Sequence, residues 1–502
     1  MELGGGARLA GAYTARMVPG LPPATRRDFI AASARTGVAF AIAPGSLLAQ
    51  PSVTRPADPW RQVDDILARI VAPTFPDRDV DITRHGAIGD GVTDCTAAIG
   101  AAIDACYAIG GGRVVVPPGR FLTGAIHLRS RVNLHVREGA TLAFSTDPRA
   151  YLPLVFTRWE GIELMNYSPF IYAWEQRDIA ITGRGTLDGQ ASATNWWSWK
   201  ARGTAAQPSD TNRTGFVAAG GQKRLSELAA ARVPVAERVF GDGDHLRPNF
   251  IQPYRCDNVL IEGVRIINSP MWEIHPVLCR NVIVRGVDIA SHGPNNDGCD
   301  PESCRDVLIE HCTFDTGDDC IALKSGRNDD GRRVNVPVEN VVIRDCRMKD
   351  GHGGVVIGSE ISGSARNVFA ERCQMDSPHL DRALRIKTNA MRGGIVEHIY
   401  MRDVTVGQVA EAVVAINFYY EEADKGPHLP IVRDVEVRNV TSRSSRHALL
   451  LRGFAQAPIE DVRVVDCRFD NVAEADVLQH VTNLQLTNMV RNGVRVDAAR
   501  GR

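Results

Sequence analysis

The sequence predicts an all-β fold, a right-handed single-stranded parallel β-helix whose N-terminal end is covered by a helix. Three observations predict it: a short strand motif that recurs at solenoid spacing, cysteines that keep the register of that motif, and one amphipathic helical segment ahead of the copies. The chain has 502 residues and a formal net charge of −1, a balance that argues against general attraction to nucleic acid or anionic membrane. An anionic partner must then be read by a few placed cations. After residue 50 no apolar run approaches the roughly 18 residues of a membrane span, so none is expected in the mature chain.

Taken in order, residues 1–49 read as an address. Thr25-Arg26-Arg27-Asp28-Phe29-Ile30 has the form of a twin-arginine export motif, followed by a small, apolar stretch to Leu48 and a small-residue cleavage site at Ala49. This implies an exported protein, periplasmic or secreted, folded before transport in a reducing cytoplasm, so disulfides are not expected to hold it. Residues 50–78 form an N-terminal extension, and the solenoid is expected over 79–502. Before its coils, Thr93-Asp94 caps a segment in which Ile99, Ala102, Ile103, Cys106 and Tyr107 recur at helical spacing, ended by Gly110-Gly111-Gly112. Such a helix covers the open end that a solenoid must close.

The repeats begin with Asn or Asp, run through alternating Val and Ile, and end in a polar turn: Asp178-Ile-Ala-Ile-Thr-Gly, Asn258-Val-Leu-Ile-Glu-Gly, Asn281-Val-Ile-Val-Arg-Gly, Asp306-Val-Leu-Ile-Glu-His, Asn340-Val-Val-Ile-Arg-Asp, Asn367-Val-Phe-Ala-Glu-Arg, Asp434-Val-Glu-Val-Arg-Asn and Asp461-Val-Arg-Val-Val-Asp. From Asn258 the starts lie 23, 25, 34 and 27 residues apart, the spacing of coils whose longer members carry loop insertions. Short β-branched strands cannot each bury a face alone; stacked, they can. Cys312, Cys346, Cys373 and Cys467 each stand six residues after the opening residue, where other copies have Val264, Val287, Val404 and Val440. A thiol alternating with valine behaves as a small buried hydrophobe, and the odd total of eleven cysteines with no ligand spacing argues against a metal site. Residues 190–248 interrupt the repeats with Trp196-Trp197-Ser198-Trp199 and a helical stretch from about Ala218 to Ala231, an insertion placed to help shape a cleft.

Four segments on consecutive coils carry more reactive side chains than a structural repeat needs: Asn295-Asn296-Asp297-Gly298, Gly317-Asp318-Asp319, Gly351-His352-Gly353 and Arg385-Ile386-Lys387. Asp318 and His352 both lie twelve residues past their coil openings, so stacking makes them neighbours; Asp297, sixteen past Asn281, joins them only if residues 291–294 bulge. Alternation around Ile386 puts Arg385 and Lys387 on one face of a strand. Crowded aspartates repel, so at least one should hold its proton to higher pH and serve as a general acid, while the others hold and deprotonate a water. The neighbouring Arg and Lys fit a substrate carboxylate, which among sugars a uronic acid presents. Two other readings stay open: ordinary Asp-Gly and Gly-Asp turns, and a calcium site built by the aspartates.

These segments resemble the signature of the family 28 glycoside hydrolases, the polygalacturonase family, and the likeness runs from about Asp79 to near residue 490. The opening Ile82-Thr-Arg-His-Gly-Ala-Ile-Gly-Asp-Gly-Val-Thr-Asp94 is similar to a start shared by several pectin-related β-helix proteins. The resemblance implies that Asp318 is the general acid, that Asp297 and Asp319 activate water, that His352 supports the acid, that Arg385 and Lys387 bind the galacturonate carboxylate, and that configuration inverts. It further implies substrate contacts from Asn295, Gly353, His275, Lys324 and a tyrosine, with Tyr420 preferred over Tyr419. Here the family's Asn-Thr-Asp stands as Asn295-Asn296-Asp297. Arg158-Trp159-Glu160-Gly161, the stretch Ser269 to Pro276 and Lys324-Ser325-Gly326-Arg327-Asn328 resemble the exo-acting branch. The expected partner is an anionic polysaccharide or oligogalacturonide, the chain is expected to be monomeric, and no cofactor and no metal are implied. Hydrolysis of the rhamnose-containing pectin backbone, a calcium-dependent pectate lyase and a non-catalytic carbohydrate-binding β-helix are the alternatives.

Overall fold

A computed structural model describes residues 58–200 and 220–500, the side chains of 498–500 excepted. The export motif and cleavage site, residues 50–57 of the extension and residues 201–219 of the insertion lie outside the described residues. The repeats stack as parallel strands: Asp257–Glu262 pairs with Arg280–Arg285, that strand with Arg305–Glu310, and so on through Val338–Arg344, Ala365–Glu371, Ile395–Arg402, Ile431–Arg438 and Ile459–Val465. The result is the parallel β-helix expected from the spacing.

The opening Asn or Asp of each copy has a physical cause. Asp178, Asn258, Asn281, Asp306, Asn340, Asn367, Asp434 and Asp461 all have φ between 54° and 60°, the left-handed region that Asn and Asp tolerate best among residues with a side chain. Their side chains then bond from coil to coil, Asn281 to Asn258 (2.8 Å), Asn340 to Asp306 (3.0 Å) and Asn367 to Asn340 (3.0 Å). Beyond each such corner the strand alternates, so Val259 and Ile261 enter the core and Leu260 faces outward. The cysteine ladder lies inside: all eleven thiols are free, buried and unpaired as disulfides. Helix Thr96–Ala108 closes the first coils, with Asp94 accepting from the Thr96 N–H (2.9 Å) and Ile99, Ala102, Ile103 and Cys106 in the main core.

The outward apolar column is covered by the extension, which the sequence pattern left without structure. Helix Arg61–Arg69 sets Trp60, Val63 and Ile66 on Leu308, Val342, Phe369 and Tyr400, and Ile70, Ala72 and Phe75 continue over Ala180, Leu260 and Ile283. On another face, six short parallel strands run Ile321–Leu323, Val355–Gly358, Arg382–Lys387, Ala412–Asn417, His447–Arg452 and Val477–Gln479. Single bridges Ile251 to Ile274, Ile274 to Cys299 and Cys299 to Ile321 carry the column toward the N-terminal end. There an antiparallel hairpin, Val155–Trp159 with Ile162–Asn166, packs with helix Gly220–Ala230 of the insertion on Met271 and Trp272 as a second core. The tryptophans of residues 196–199 pack instead on the main core: Trp196 is buried against Tyr151 and Phe170, and the Trp197 indole donates to the Ser269 carbonyl (2.8 Å).

Candidate active site

The bulge that brings Asp297 into place is folded by its neighbour. Asn296 is buried; its oxygen accepts from the Gly293 N–H (2.8 Å) and Ser291 Oγ (2.7 Å), and its nitrogen donates to the carbonyls of Ser269 (3.0 Å) and Met271 (3.2 Å). One coil on, Gly317 passes so close to the Gly293 carbonyl that a Cβ would stand 2.3 Å from its oxygen, which fixes the approach of Asp318 to the Asp297 loop. One carboxylate oxygen from each of Asp297, Asp318 and Asp319 falls within 4.8 Å of the others. His352 Nδ1 lies 3.0 Å from Asp318 Oδ1, as equal offsets along their coils predict. Ile386 is in the core, while Lys387 Nζ (2.6 Å) and Arg385 (3.3 Å) reach Asp319 on the outer face.

Charge and burial divide the three aspartates. Burial raises Asp297 well above the ordinary carboxylate range, reinforced by the charges of Asp300 and Asp318 and opposed by Lys324. Burial also presses Asp318 and Asp319 upward, yet His352 draws Asp318 well below its usual range, and Lys387 with Arg385 draws Asp319 down. The reciprocal pull of Asp318 lifts His352 from 6.5 to about 9, against burial. Crowding is expected to raise at least one aspartate; the one raised is Asp297, while Asp318 is paired with His352.

The remaining expected binding residues divide. Tyr420 stands by the cations, with Arg385 and Lys387 5.7 and 5.3 Å from its ring centroid, whereas Tyr419 packs on Phe454, under Arg452. Asn295 faces the site edge, its oxygen accepting from Lys200 Nζ (2.5 Å) and Arg247 (2.7 Å). Gly353 is buried; a Cβ there would meet Val356 at 2.5 Å and Arg385 at 3.5 Å, so it makes room for the arginine and offers no contact of its own.

His275 and Lys324, expected to touch substrate, are held by protein partners. The His275 ring is enclosed, bonded to Glu302 (2.8 Å), Asn249 and Gln252 (2.9 Å each), and Glu302 also holds Arg158 (3.2 Å). Lys324 is likewise enclosed, 3.5 Å from Asp297 and Asp300 and 3.4 Å from Glu360, a counter-charge beneath the site. Sequence reasoning missed Lys200 and Arg247, which come from the irregular insertion where no periodicity marks them, and Asn296, which it noted only as a departure. It also missed Asp300 and Glu360, the buried carboxylates beside Lys324, which no repeat offset marks.

The aspartate trio has the spacing to hold a cation, but Lys387 and Arg385 at Asp319, Lys324 at Asp297 and His352 at Asp318 already supply the positive charge a calcium ion would bring. The donor set therefore does not fit a resident calcium. His292, Asp315 and Asp350 form a second, more exposed group, with a Lys349 ammonium 3.7 Å from Asp315.

With this geometry in hand, comparison with known proteins is specific. The model of Glycosyl hydrolases family 28 matches residues 236–490. A probable polygalacturonase of Vitis vinifera is 27% identical over 410 residues, 78% of this chain and 74% of the relative. An exo-poly-alpha-D-galacturonosidase of Dickeya chrysanthemi is 28% identical over 390 residues, 73% of this chain and 62% of the relative. Among solved structures, a hyperthermoactive exopolygalacturonase from Thermotoga maritima superposes with a TM-score of 0.82 at 44% identity, covering 88% of this chain and 97% of that one.

Proposed function

The chain belongs to family 28 of the glycosyl hydrolases, and on that premise we propose that it removes galacturonate from chain ends of polygalacturonan by single displacement. It is a glycoside hydrolase acting on the α-glycosidic bonds of galacturonan. The observation that carries the residue assignment is the aspartate trio beside Arg385, Lys387 and Tyr420.

Asp318 is the general acid. Its proton comes from the pair it forms with His352, which together hold one proton below about pH 9. Asp319, kept ionised by Lys387 and Arg385, shares a water with Asp297; oxygens no more than 4.8 Å apart accept about 2.8 Å bonds from one water at an angle near tetrahedral. This spacing is shorter than the roughly 6.5–9.5 Å usual for inverting carboxylate pairs, so stereochemistry is a direct test. Tyr420, Arg385 and Lys387 receive the uronate carboxylate.

Attack from an end is supported by the hairpin wall beside the trio. Its tip carbonyl at Gly161 accepts from the Arg327 N–H (3.0 Å), Glu160 pairs with Arg327 (3.1 Å), and Lys200 and Arg247 stand at Asn295. Relatives named as exo-acting point the same way. The test follows product lengths from tri-galacturonate and polygalacturonate under chelator, with proton NMR of the first anomer formed. Monomer from the outset as the β-anomer is expected. Mixed oligomers refute end attack, the α-anomer refutes single displacement, and an unsaturated, chelator-sensitive product refutes hydrolysis.

We further propose export of the folded chain, supported by Arg26-Arg27 ahead of an apolar stretch and by eleven buried thiols that need no oxidation. Arg26→Lys with Arg27→Lys is expected to leave activity in the cytoplasmic fraction; undiminished export would refute it.

A further inference from the structure

The segment that supplies Arg385 and Lys387 does not end its work at the strand. It continues through Thr388 to Arg392, buried, and turns beneath the loop that carries Tyr420. The Asn389 amide nitrogen donates to the Tyr420 carbonyl (3.0 Å) and to Glu422 (2.7 Å), while its oxygen accepts from the N–H groups of Met391 and Arg392 (2.9 Å each). Arg392 donates to Glu421 (2.5 Å), to Asn328 (2.8 Å) and, at the limit of reach, to Glu422 (3.5 Å). Arg327 grips Glu421 from the other side (3.3 Å).

The loop needs such a grip. Glu421 and Ala423 hold φ of 48° and 52°, left-handed conformations that neither residue type favours, and residues 418–430 belong to no strand. We infer that Asn389 and Arg392 are positioning residues for the carboxylate subsite: by fixing the Tyr420 carbonyl and the adjoining Glu421, they set the aromatic ring against Arg385 and Lys387. This rests on the galacturonate reading of that subsite. Both side chains are enclosed and spend their hydrogen bonds on the loop and on Asn328, so they are placed to act through the loop that carries Tyr420.

A double-mutant cycle with Tyr420→Ala isolates that route. Arg392→Met and Glu421→Gln are each compared with and without Tyr420→Ala, reading galacturonate binding by calorimetry and KM and kcat on tri-galacturonate. Each single change is expected to weaken galacturonate binding and raise KM about tenfold, as loss of a charged hydrogen bond does, with kcat within about threefold. In the Tyr420→Ala background neither should add a further loss, and Arg392→Lys should restore part of the affinity. Glu421→Gln, which keeps the side chain's size and removes only its charge, keeps the cycle readable if Arg392→Met fails to fold. Equal losses in both backgrounds, or a fall in kcat with KM unchanged, would overturn the assignment. Wild-type protein that binds galacturonate yet does not hydrolyse its oligomers would overturn the functional reading instead, leaving the binding cycle to judge the clamp.

Discussion

Replacing His352 with glutamine keeps a hydrogen-bond donor near Asp318 and removes the charge. In the native protein the carboxylate of Asp318 lifts the histidine from 6.5 to about 9. A group bound more tightly to its proton when folded contributes stability that is complete below pH 6.5 and is lost as pH rises through about 9. At 1.36 kcal/mol per pH unit the full coupling is about 3 kcal/mol, but the histidine side chain is 44% exposed, and solvent screening reduces this to about 1 kcal/mol. The lowered carboxyl of Asp318 reports the same contact from the other side, present above 3.8 and lost as pH falls, so it is not counted twice. Urea midpoints of wild type and His352→Gln, measured from pH 5 to pH 10, should therefore differ by a constant amount up to pH 6.5 and converge by pH 10. The variant should lose about 10²–10³-fold in kcat, and the wild-type decline of kcat/KM near pH 9 should vanish from the residual activity. Parallel stability curves across the whole range would refute the ion pair, and an unchanged alkaline limb would refute its part in supplying the proton.

Three further outcomes are expected. Lys387→Met leaves buried Asp319 with Arg385 alone: its pKa should rise, moving the acid limb of kcat/KM to higher pH. The stability loss of about 3 kcal/mol at neutral pH should shrink only as pH falls below about 3.8, as it must for a lowered carboxylate; an unmoved acid limb would contradict this. Native protein should show no thiol reactive to a bulky disulfide reagent and eleven after denaturation, reductant should leave its melting unchanged, and Cys346→Val should cost less than about 1.5 kcal/mol; a native reactive thiol would contradict the inward ladder. Gly161 has φ of 81°, and a Cβ there would stand 2.7 Å from the Arg327 nitrogen, so Gly161→Ala should lift the hairpin tip, cost about 1–3 kcal/mol and let longer oligomers appear among the products; a monomer-only pattern would show that the tip does not close the cleft.

How much of this could be read from the chain alone depends on whether periodicity reached the residue. Stacking converts sequence offset into distance, so His352 and Asp318, equal in offset, could be paired in advance, and the cysteines could be placed inside by their alternation with valine. The same rule is silent wherever the chain leaves the coils. Lys200 and Arg247 arrive from the insertion, and helix Arg61–Arg69 covers an apolar column whose members had been credited only with strand formation. His275 and Lys324 are legible only in part: motif likeness marks a position as constrained but does not say what it touches, and the structure adds their partners, Glu302, Asn249 and Gln252 for the one and Asp297, Asp300 and Glu360 for the other.

The directions in which the site shifts its carboxyls run opposite to the roles assigned, since Asp297 is raised and the proposed acid Asp318 is lowered. Substrate shifts the acid's half of this by charge alone. A uronate carboxylate seated at Arg385 and Lys387 neutralises the cations that now stabilise Asp319 and, at longer range, Asp318, and it displaces water from both. Both effects raise Asp318 while the proton it needs waits 3.0 Å away on His352. A neutral sugar would leave the cations uncompensated and Asp318 ionised. The carboxylate thus serves chemistry as well as affinity, and an oligomer whose terminal carboxyl is reduced to the alcohol should lose kcat in addition to gaining KM. A rise in KM alone, with kcat intact, would show that Asp318 is protonated by a route independent of the substrate's charge.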